Sequence, residues 1–437
     1  MPSFLLFLLL LKPAAALPKG VAPLPAATEQ HMKSLLAAAE KYRGLHARAP
    51  VPAGTLEEAG LKKKLLESMH QHLPPESLRA AEESLKAFGL IPESMDLAKY
   101  LPDLLTSQVA GYYDSERKYL AMVRRGPAAG AAGAAGQEAG DDDMVLVHEL
   151  THALQDQSFD LEKLEKDDDP LSDAGTAVTA LVEGDATLTM IDFQAKASVE
   201  SAPGAGQMIS SLLDDPDKLA QAVPDLPGAD QFAAAPGWLR DNLMFGYLQG
   251  MTFCMSVRAR GGQKLLDYAF TTDPPRSTEQ ILHPEKWHTR RDDPVAIHFP
   301  DLTAELPGYR KASEGEMGEL SIRSLLHGGI QDWERASTAA AGWGGDRFAV
   351  YEKPGRGRLL LWVSDWDSEA DEQEFQAALA SLGNGWRVTG TSPRRVVAIR
   401  GDLTAETLAV VLARLAAAPA EQPANREIDL AKLGVKP

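Results

Sequence analysis

The stretch formed by residues 145–154 constrains the fold more than any other part of the sequence. It carries His148, Glu149 and His152 within an otherwise apolar run. Its apolar side chains recur at helical spacing, which predicts a helix that is largely buried. A buried helix with two imidazoles and a carboxylate is unfavourable unless these groups find polar partners. The fold must therefore bring further polar groups to this helix. The apolar positions are Val145, Leu146, Leu150, Ala153 and Leu154.

His148 and His152 are separated by four positions, with Glu149 directly after the first. Positions i and i+4 share one face of a helix, so two imidazoles can converge on one ion. Zinc accepts imidazole nitrogen, and a catalytic zinc uses three protein ligands and leaves a position for water. Glu149 could take the proton from that water as it attacks a carbonyl. The pattern indicates a zinc-dependent hydrolase. The alternative is a surface helix with two histidines beside a solvated glutamate.

The third ligand decides the subclass. A metzincin would carry a histidine at the position of Ser158 and a glycine at that of Gln155, so this subclass is excluded. Glu183 follows His152 by 31 residues and lies in a second predicted helix, over residues 173–197. A long carboxylate in such an apolar stretch is costly unless it is paired or bound to a cation. Glu183 is therefore the candidate third ligand, and a helix-surface acid is the alternative.

Two short motifs, at residues 148–152 and 183–186, resemble those of the gluzincin metallopeptidases, which include thermolysin-like enzymes. The run from Glu183 to Ala186 is similar to the third-ligand helix of zinc aminopeptidases in that class. The resemblance covers residues 108–200. It implies a zincin-like core that hydrolyses peptide bonds, with Zn²⁺ as cofactor and a peptide or protein as substrate.

The sequence departs from the gluzincin pattern around the third ligand. The gap between the two motifs is longer than is typical, and Thr187 stands where an aspartate is expected. A metal-bound histidine usually needs a carboxylate or carbonyl partner for its second nitrogen. Asp185 or Asp156 could take that role. A donor is also needed for the oxyanion of the tetrahedral intermediate. Tyr247 and His283 are the candidates, although a packed ring and a turn residue are the alternatives.

Four sequence blocks also resemble a group of exported bacterial proteins that carry them in the same order. This resemblance implies no substrate, but it implies that the carboxy-terminal unit belongs to the same architecture. The blocks are residues 111–114, 148–157, 181–186 and 275–284.

The pattern of elements predicts an α+β fold that is mostly helical. Residues 56–73 form a predicted helix, and residues 109–114 and 119–123 form a predicted hairpin. Strands are also predicted over residues 347–352, 358–363 and 395–399. The resemblance implies that a peptide substrate adds to an edge strand, and residues 119–123 are the expected edge. The predicted units are a helical region (26–100), a zincin-like catalytic domain (101–300), a small α+β domain (302–417) and an extended tail (418–437).

The first residues of the chain predict an exported protein. An apolar run over residues 4–11 followed by three alanines predicts a signal peptide over residues 1–16, and therefore a secreted or periplasmic location. No apolar run approaches the ~20 residues that a membrane span requires. A net charge of −18 argues against nucleic-acid binding. The alternative function is a catalytically inactive zincin scaffold that binds a partner or a cell-envelope polymer.

Residues 126–140 consist almost entirely of alanine and glycine. Such a segment offers little side-chain area to bury. We expect that shortening it by several residues leaves the melting temperature nearly unchanged, as thermal unfolding would measure. A large drop in melting temperature would show that the segment packs against the core.

Overall fold

The computed structural model describes residues 17–124, 139–165, 171–196, 229–424 and 427–435. The predicted signal peptide and residues 126–138 of the Ala/Gly-rich segment lie outside the described residues. The prediction of a mostly helical α+β fold is confirmed. None of the helices in the described ranges combines the length and apolar character needed to cross a bilayer.

The amino-terminal and central elements are mostly helices. The helices are α1 (Ala26–Arg43), α2 (Glu58–His72), α3 (Pro75–Phe88), α4 (Leu97–Gln108), α5 (Ala139–Phe159), α6 (Leu161–Leu164), α7 (Asp173–Ala195), α8 (Ala229–Ala234), α9 (Gly237–Thr271), α10 (Thr278–Leu282) and α11 (Glu285–His288). The strands are β1 (Ala22–Pro23), β2 (Ala53–Glu57), β3 (Gly111–Asp114), β4 (Tyr119–Arg124) and β5 (Ala296–Ile297).

The carboxy-terminal elements alternate between strands and helices. The strands are β6 (Arg310–Gly315), β7 (Trp343–Glu352), β8 (Leu359–Trp366), β9 (Trp386–Ser392), β10 (Arg395–Arg400) and β11 (Ala420–Glu421). The helices are α12 (Gly318–Ile330), α13 (Trp333–Ala340), α14 (Glu369–Ser381) and α15 (Ala405–Ala416).

A four-stranded sheet joins the amino-terminal region to the predicted hairpin, in the order β1-β2-β4-β3. β2 pairs in parallel with β4, and β3 pairs antiparallel with the other side of β4. Two expectations are therefore wrong. The helix predicted from Leu56 begins at Glu58, because Leu56 is buried in β2. Residues 119–123 are not an edge, because β4 has a partner on each side, and the two outer strands of this sheet, among the described residues, are β1 and β3.

Helix α5 is the buried helix that its sequence predicts. It packs between α1, α7 and the β3–β4 hairpin. Leu146, Leu150 and Leu154 are at most 5% exposed, in a core that they share with Met32 and Leu35 of α1. Only the face with the histidines and the glutamate turns away from this core. The apolar environment thus fixes the rotation of α5 about its axis.

Helices α7 and α9 approach each other more closely than side chains would allow. A Cβ atom on Gly184 would lie 2.0 Å from the carbonyl carbon of Gly250, and one on Gly250 would lie 2.0 Å from the oxygen of Ala180. The two backbones are therefore in direct contact at these glycines. Farther along α9, Gly262 has a φ of 65°, and the helix kinks there. The close contact brings residues next to Gly184 within reach of α9.

The carboxy-terminal unit is a five-stranded antiparallel sheet with the order β6-β7-β8-β10-β9. One face packs against α12, α13 and α14, and also against α3 of the amino-terminal region. The other face packs against α15. The Asp346 carboxylate accepts hydrogen bonds from the Trp343 and Trp362 indoles and from the backbone amides of Met317 and Gly318. This buried carboxylate fixes the start of α12 against the sheet.

The sequence did not predict every element of this unit. The strands predicted over residues 347–352 and 395–399 lie within β7 and β10, and the one predicted over residues 358–363 overlaps β8 except for its first residue. β6 and β9 were missed, since both are edge strands whose polar residues give no clear alternation. In the tail, predicted to be extended, β11 pairs with β5, and Leu430 and Leu433 pack against the α7–α9 core.

We expect Gly184→Ala to lower the free energy of unfolding by about 3 kcal/mol or more, because the new methyl group meets backbone that cannot repack. Chemical denaturation would measure the loss. Gly328→Ala in α12 is the matched control, because a Cβ there meets nothing within 4 Å. That variant should gain about 0.5–1 kcal/mol from reduced freedom of the unfolded chain. Equal effects in the two variants would contradict the close helix contact.

Candidate metal centre

The structure brings His148, His152 and Glu183 together. The Nε2 atoms of the two histidines are 3.0 Å apart. The Oε2 atom of Glu183 lies 3.1 Å from His148 Nε2 and 3.5 Å from His152 Nε2. Both histidines are 8% exposed, and the Glu183 side chain is 24% exposed. Two imidazole nitrogens and one carboxylate oxygen thus form a small triangle that is open on one side.

The dimensions of this triangle suit a zinc ion. Zinc binds imidazole nitrogen and carboxylate oxygen at about 2.0–2.2 Å, and tetrahedral geometry then separates the ligand atoms by about 3.3 Å. The three observed separations of 3.0, 3.1 and 3.5 Å bracket that value. Three ligands leave one tetrahedral position for water or substrate, as in catalytic zinc sites. The donor set therefore fits a catalytic zinc.

The pKa values of Glu183 and His152 are strongly shifted at this site. Burial opposes the charge on Glu183, but His152 and His148 outweigh it and hold the pKa of the Glu183 carboxyl well below its usual range. Burial also opposes the charge on His152, but the adjacent Glu183 raises its pKa to about 10. A cation at this position is therefore favoured by the negative charge of Glu183.

Glu149 lies beside the triangle without belonging to it. It is 8% exposed, and burial raises the pKa of its carboxyl against the opposing effect of His148 and His152. The backbone N–H of Tyr113 in β3 donates a hydrogen bond to it. A Cβ atom on Gly111 would lie 3.5 Å from Glu149 Cγ, so β3 passes directly over this side chain. Glu149 therefore lies between the candidate ligands and strand β3.

Of the two candidate oxyanion donors, the structure brings only Tyr247 to the site. The ring of Tyr247 lies 5.8 Å from that of His148, centroid to centroid. The charge of Glu183 raises the pKa of Tyr247 well above its usual value, so its hydroxyl keeps its proton. His283 ends α10 instead, with its Nε2 2.9 Å from the Oε1 of Glu319. The prediction of a role for His283 in the site has no geometric support.

The second nitrogen of His152 has a partner that the sequence analysis missed. Its Nδ1 lies 2.8 Å from Gln155 Oε1, and Gln155 Nε2 donates to Asp185 Oδ2 at 2.8 Å. Asp185 thus reaches the imidazole through Gln155. Asp156, the other candidate, accepts hydrogen bonds from Tyr113 and Lys118. The spacing of three residues between His152 and Gln155 puts both on one helix face, a signal that could have identified Gln155.

A second group of carboxylates, from Glu279, Asp292 and Asp367, also converges. The Nζ atom of Lys286 lies among them, 2.6 Å from Glu279, 3.2 Å from Asp292 and 2.5 Å from Asp367. The ammonium group already occupies the position that a cation would take, and it offsets part of the negative charge of these acids. This group is therefore an ion-pair cluster and not a second metal centre.

Comparison with known proteins adds information only for the carboxy-terminal unit. A family model described as a domain of unknown function (DUF8575) matches residues 305–419. The matched range lies close to the small α+β domain predicted over residues 302–417, and it contains none of the three candidate ligands. Searches of curated proteins and of solved structures give no match.

We expect the protein to bind about one zinc per chain and Glu183→Ala to lose it. Loss of a direct ligand should weaken zinc binding beyond the roughly 10- to 100-fold effect typical of outer partners. Metal analysis and chelator competition would measure stoichiometry and affinity. Glu334→Ala removes an exposed acid from α13 and should leave both unchanged. Wild-type affinity in Glu183→Ala would remove Glu183 from the site.

Proposed function

We propose that this protein is a zinc-dependent metallopeptidase of the gluzincin type. The observation that carries the proposal is the triangle formed by His148, His152 and Glu183, whose edges of 3.0–3.5 Å match the spacing of zinc ligands. Glu149 lies next to this triangle on the same helix. A structural zinc site normally has four protein ligands and needs no base. Three ligands with an adjacent glutamate favour hydrolysis.

His148, His152 and Glu183 would hold the metal. Bound zinc would act as a Lewis acid that polarises a peptide carbonyl and lowers the pKa of water. The carboxylate of Glu149 would take a proton from the attacking water and deliver it to the leaving nitrogen. Burial raises the pKa of Glu149, which makes it a better proton acceptor than an exposed glutamate. Its hydrogen bond from the Tyr113 backbone would hold the carboxylate in place between the two transfers.

Tyr247 would stabilise the oxyanion of the tetrahedral intermediate. Its hydroxyl is a donor, since the charge of Glu183 disfavours loss of the phenolic proton. Its ring lies against His148 on the side of the site that α9 forms. A hydrogen-bond donor next to developing negative charge lowers the free energy of the transition state. Tyr247 and Glu149 would therefore act from α9 and α5 on the same peptide group.

The substrate would bind along β3. This strand is one of the two outer strands of the described four-stranded sheet, and Gly111 and Tyr113 place it against Glu149. An extended peptide that adds to such an edge gains main-chain hydrogen bonds. A cleft of about 480 Å³ lies beside the strand and is lined in part by Tyr112, Tyr113 and Glu165. This cleft is suited to hold a substrate side chain.

Glu149→Gln tests the proposed chemistry. The amide cannot accept a proton from water, so we expect peptide turnover to fall about 10²- to 10⁴-fold while zinc stays bound. Turnover on a mixed peptide library and metal content would be measured on the same samples. Glu334→Gln, which changes an exposed acid on α13 outside the cleft, is the control for the loss of one negative charge.

The alternative function, a non-catalytic scaffold that binds a partner or a polymer, gives a different result. The wild-type protein and Glu149→Gln would then hold zinc equally and cleave no peptide of the library. No specific observation among the described residues favours that alternative.

A further inference from the structure

We infer that Arg43 is a positioning residue for the zinc ligand His152, and that it acts through Asp185 and Gln155. The inference rests on the proposed metal centre. Arg43 lies on α1, in a region where the sequence predicts no chemistry. A chain of three buried hydrogen bonds connects it to the imidazole.

Two hydrogen bonds from its NH₂ group fix the orientation of the Gln155 amide. Gln155 Nε2 lies 2.8 Å from Asp185 Oδ2 and 3.0 Å from the carbonyl oxygen of Val182. An ionised carboxylate and a carbonyl oxygen can only accept hydrogen bonds, so the NH₂ group must face them. The Oε1 atom of Gln155 must then face His152. The network, and not the assignment of two similar atoms, determines this orientation.

The third link follows from the second. Gln155 Oε1 can only accept, so the Nδ1 atom of His152 must carry the proton of their 2.8 Å hydrogen bond. The Nε2 atom is then the nitrogen with a lone pair for the metal, and it is Nε2 that faces His148 and Glu183. The network thus selects the metal-binding tautomer and fixes the plane of the ring. Partners of this kind tune metal affinity in zinc proteins.

The network depends on the position of the Asp185 carboxylate, and Arg43 holds that carboxylate in place. Asp185 is 1% exposed, and a buried carboxylate without a partner is strongly unfavourable. Arg43 Nε lies 2.6 Å from Asp185 Oδ2. The same Oδ2 atom also accepts the hydrogen bond from Gln155 Nε2. The guanidinium on α1 therefore holds the acceptor that orients the Gln155 amide toward His152.

Arg43 is itself held in one position. It is fully buried, and α9 supplies further partners: Asp267 Oδ1 lies 2.8 Å from Nη2, and Gln263 Oε1 accepts from Nη1 at 3.1 Å. The aromatic rings of Phe159 and Phe270 lie 5.7 and 5.6 Å from the guanidinium carbon. Arg43 thus fixes Asp185 relative to α1, α5 and α9 together. A planar group with several donors suits this role better than an ammonium group.

Arg43→Met tests the inference with zinc release as the readout. We expect zinc to dissociate into excess chelator about 10-fold faster than from the wild type, and about 10- to 100-fold faster from Gln155→Leu. Arg43→Lys keeps a positive charge near Asp185, so we expect it to release zinc more slowly than Arg43→Met does. In the Gln155→Leu background, Arg43→Met should not increase the rate of zinc release further, because the connection to His152 is already broken. If Arg43 had a purely structural role, the effects of the two substitutions on zinc release would add in the double variant.

Arg258→Met is the matched control. Arg258 and Asp192 form another buried ion pair between α9 and α7, with 2.7 Å between Nη1 and Oδ2. Asp192 lies seven residues after Asp185, about 10 Å farther along α7. The two arginine variants should lose similar thermal stability in the metal-free form, but only Arg43→Met should release zinc faster. If Arg43→Met does not fold, Asp185→Asn replaces it, because its amide lets Gln155 turn over.

The outcomes separate this inference from the proposed function. Equal zinc release from Arg43→Met (or Asp185→Asn) and Arg258→Met, with zinc bound by the wild type, would overturn the role of Arg43 and leave the metal centre intact. A wild-type protein that binds no zinc would overturn the metal centre itself. Faster release only from Arg43→Met and Gln155→Leu, without additivity, would establish the connection.

Discussion

The direct backbone contact between α7 and α9 determines where the polar groups of the candidate site can lie. Gly184 and Gly250 allow this contact, and Glu183 is the residue immediately before the first glycine. Near the same crossing, a Cβ on Gly246 would lie 3.5 Å from the Glu183 side chain. Tyr247 follows Gly246 and so reaches the ring of His148. Two glycines thus place a carboxylate and a phenol opposite the histidines of α5, although neither glycine bears a reactive group.

The same structural solution to burying charge occurs in two places. In the helical part, Asp185 is compensated by Arg43 and used by Gln155. In the carboxy-terminal unit, Asp346 is 3% exposed and compensated by two indole and two backbone N–H donors. A buried carboxylate with all its partners holds several elements in one arrangement, whereas a partly satisfied one destabilises the fold. The two carboxylates differ in what they hold in place, because only the hydrogen-bond network of Asp185 extends to a candidate metal ligand.

The sequence predicts the candidate site better than it predicts the sheets. His148 and His152 follow from helical periodicity, and Glu183 follows from a resemblance and from its apolar surroundings, so local information is sufficient for both. The end of strand β2 was predicted to be the start of a helix, because its partner β4 lies more than sixty residues away along the chain. Arg43 and Asp185 are 142 residues apart, and neither has a neighbour in sequence that indicates the other. Long-range pairing and buried ion pairs leave no periodic signal in a single sequence.

These long-range pairs also bear on the predicted boundary between residues 100 and 101. A catalytic domain that began at residue 101 would lack β2, which covers one side of β4, and α1, which covers Leu146 and Leu150. It would also leave Asp185 buried without Arg43, which costs more than the ion pair contributes when it is complete. The amino-terminal helix therefore belongs to the physical unit that holds the candidate metal centre. The elements that complete this unit precede the two motifs in the chain, and only the tertiary contacts identify them.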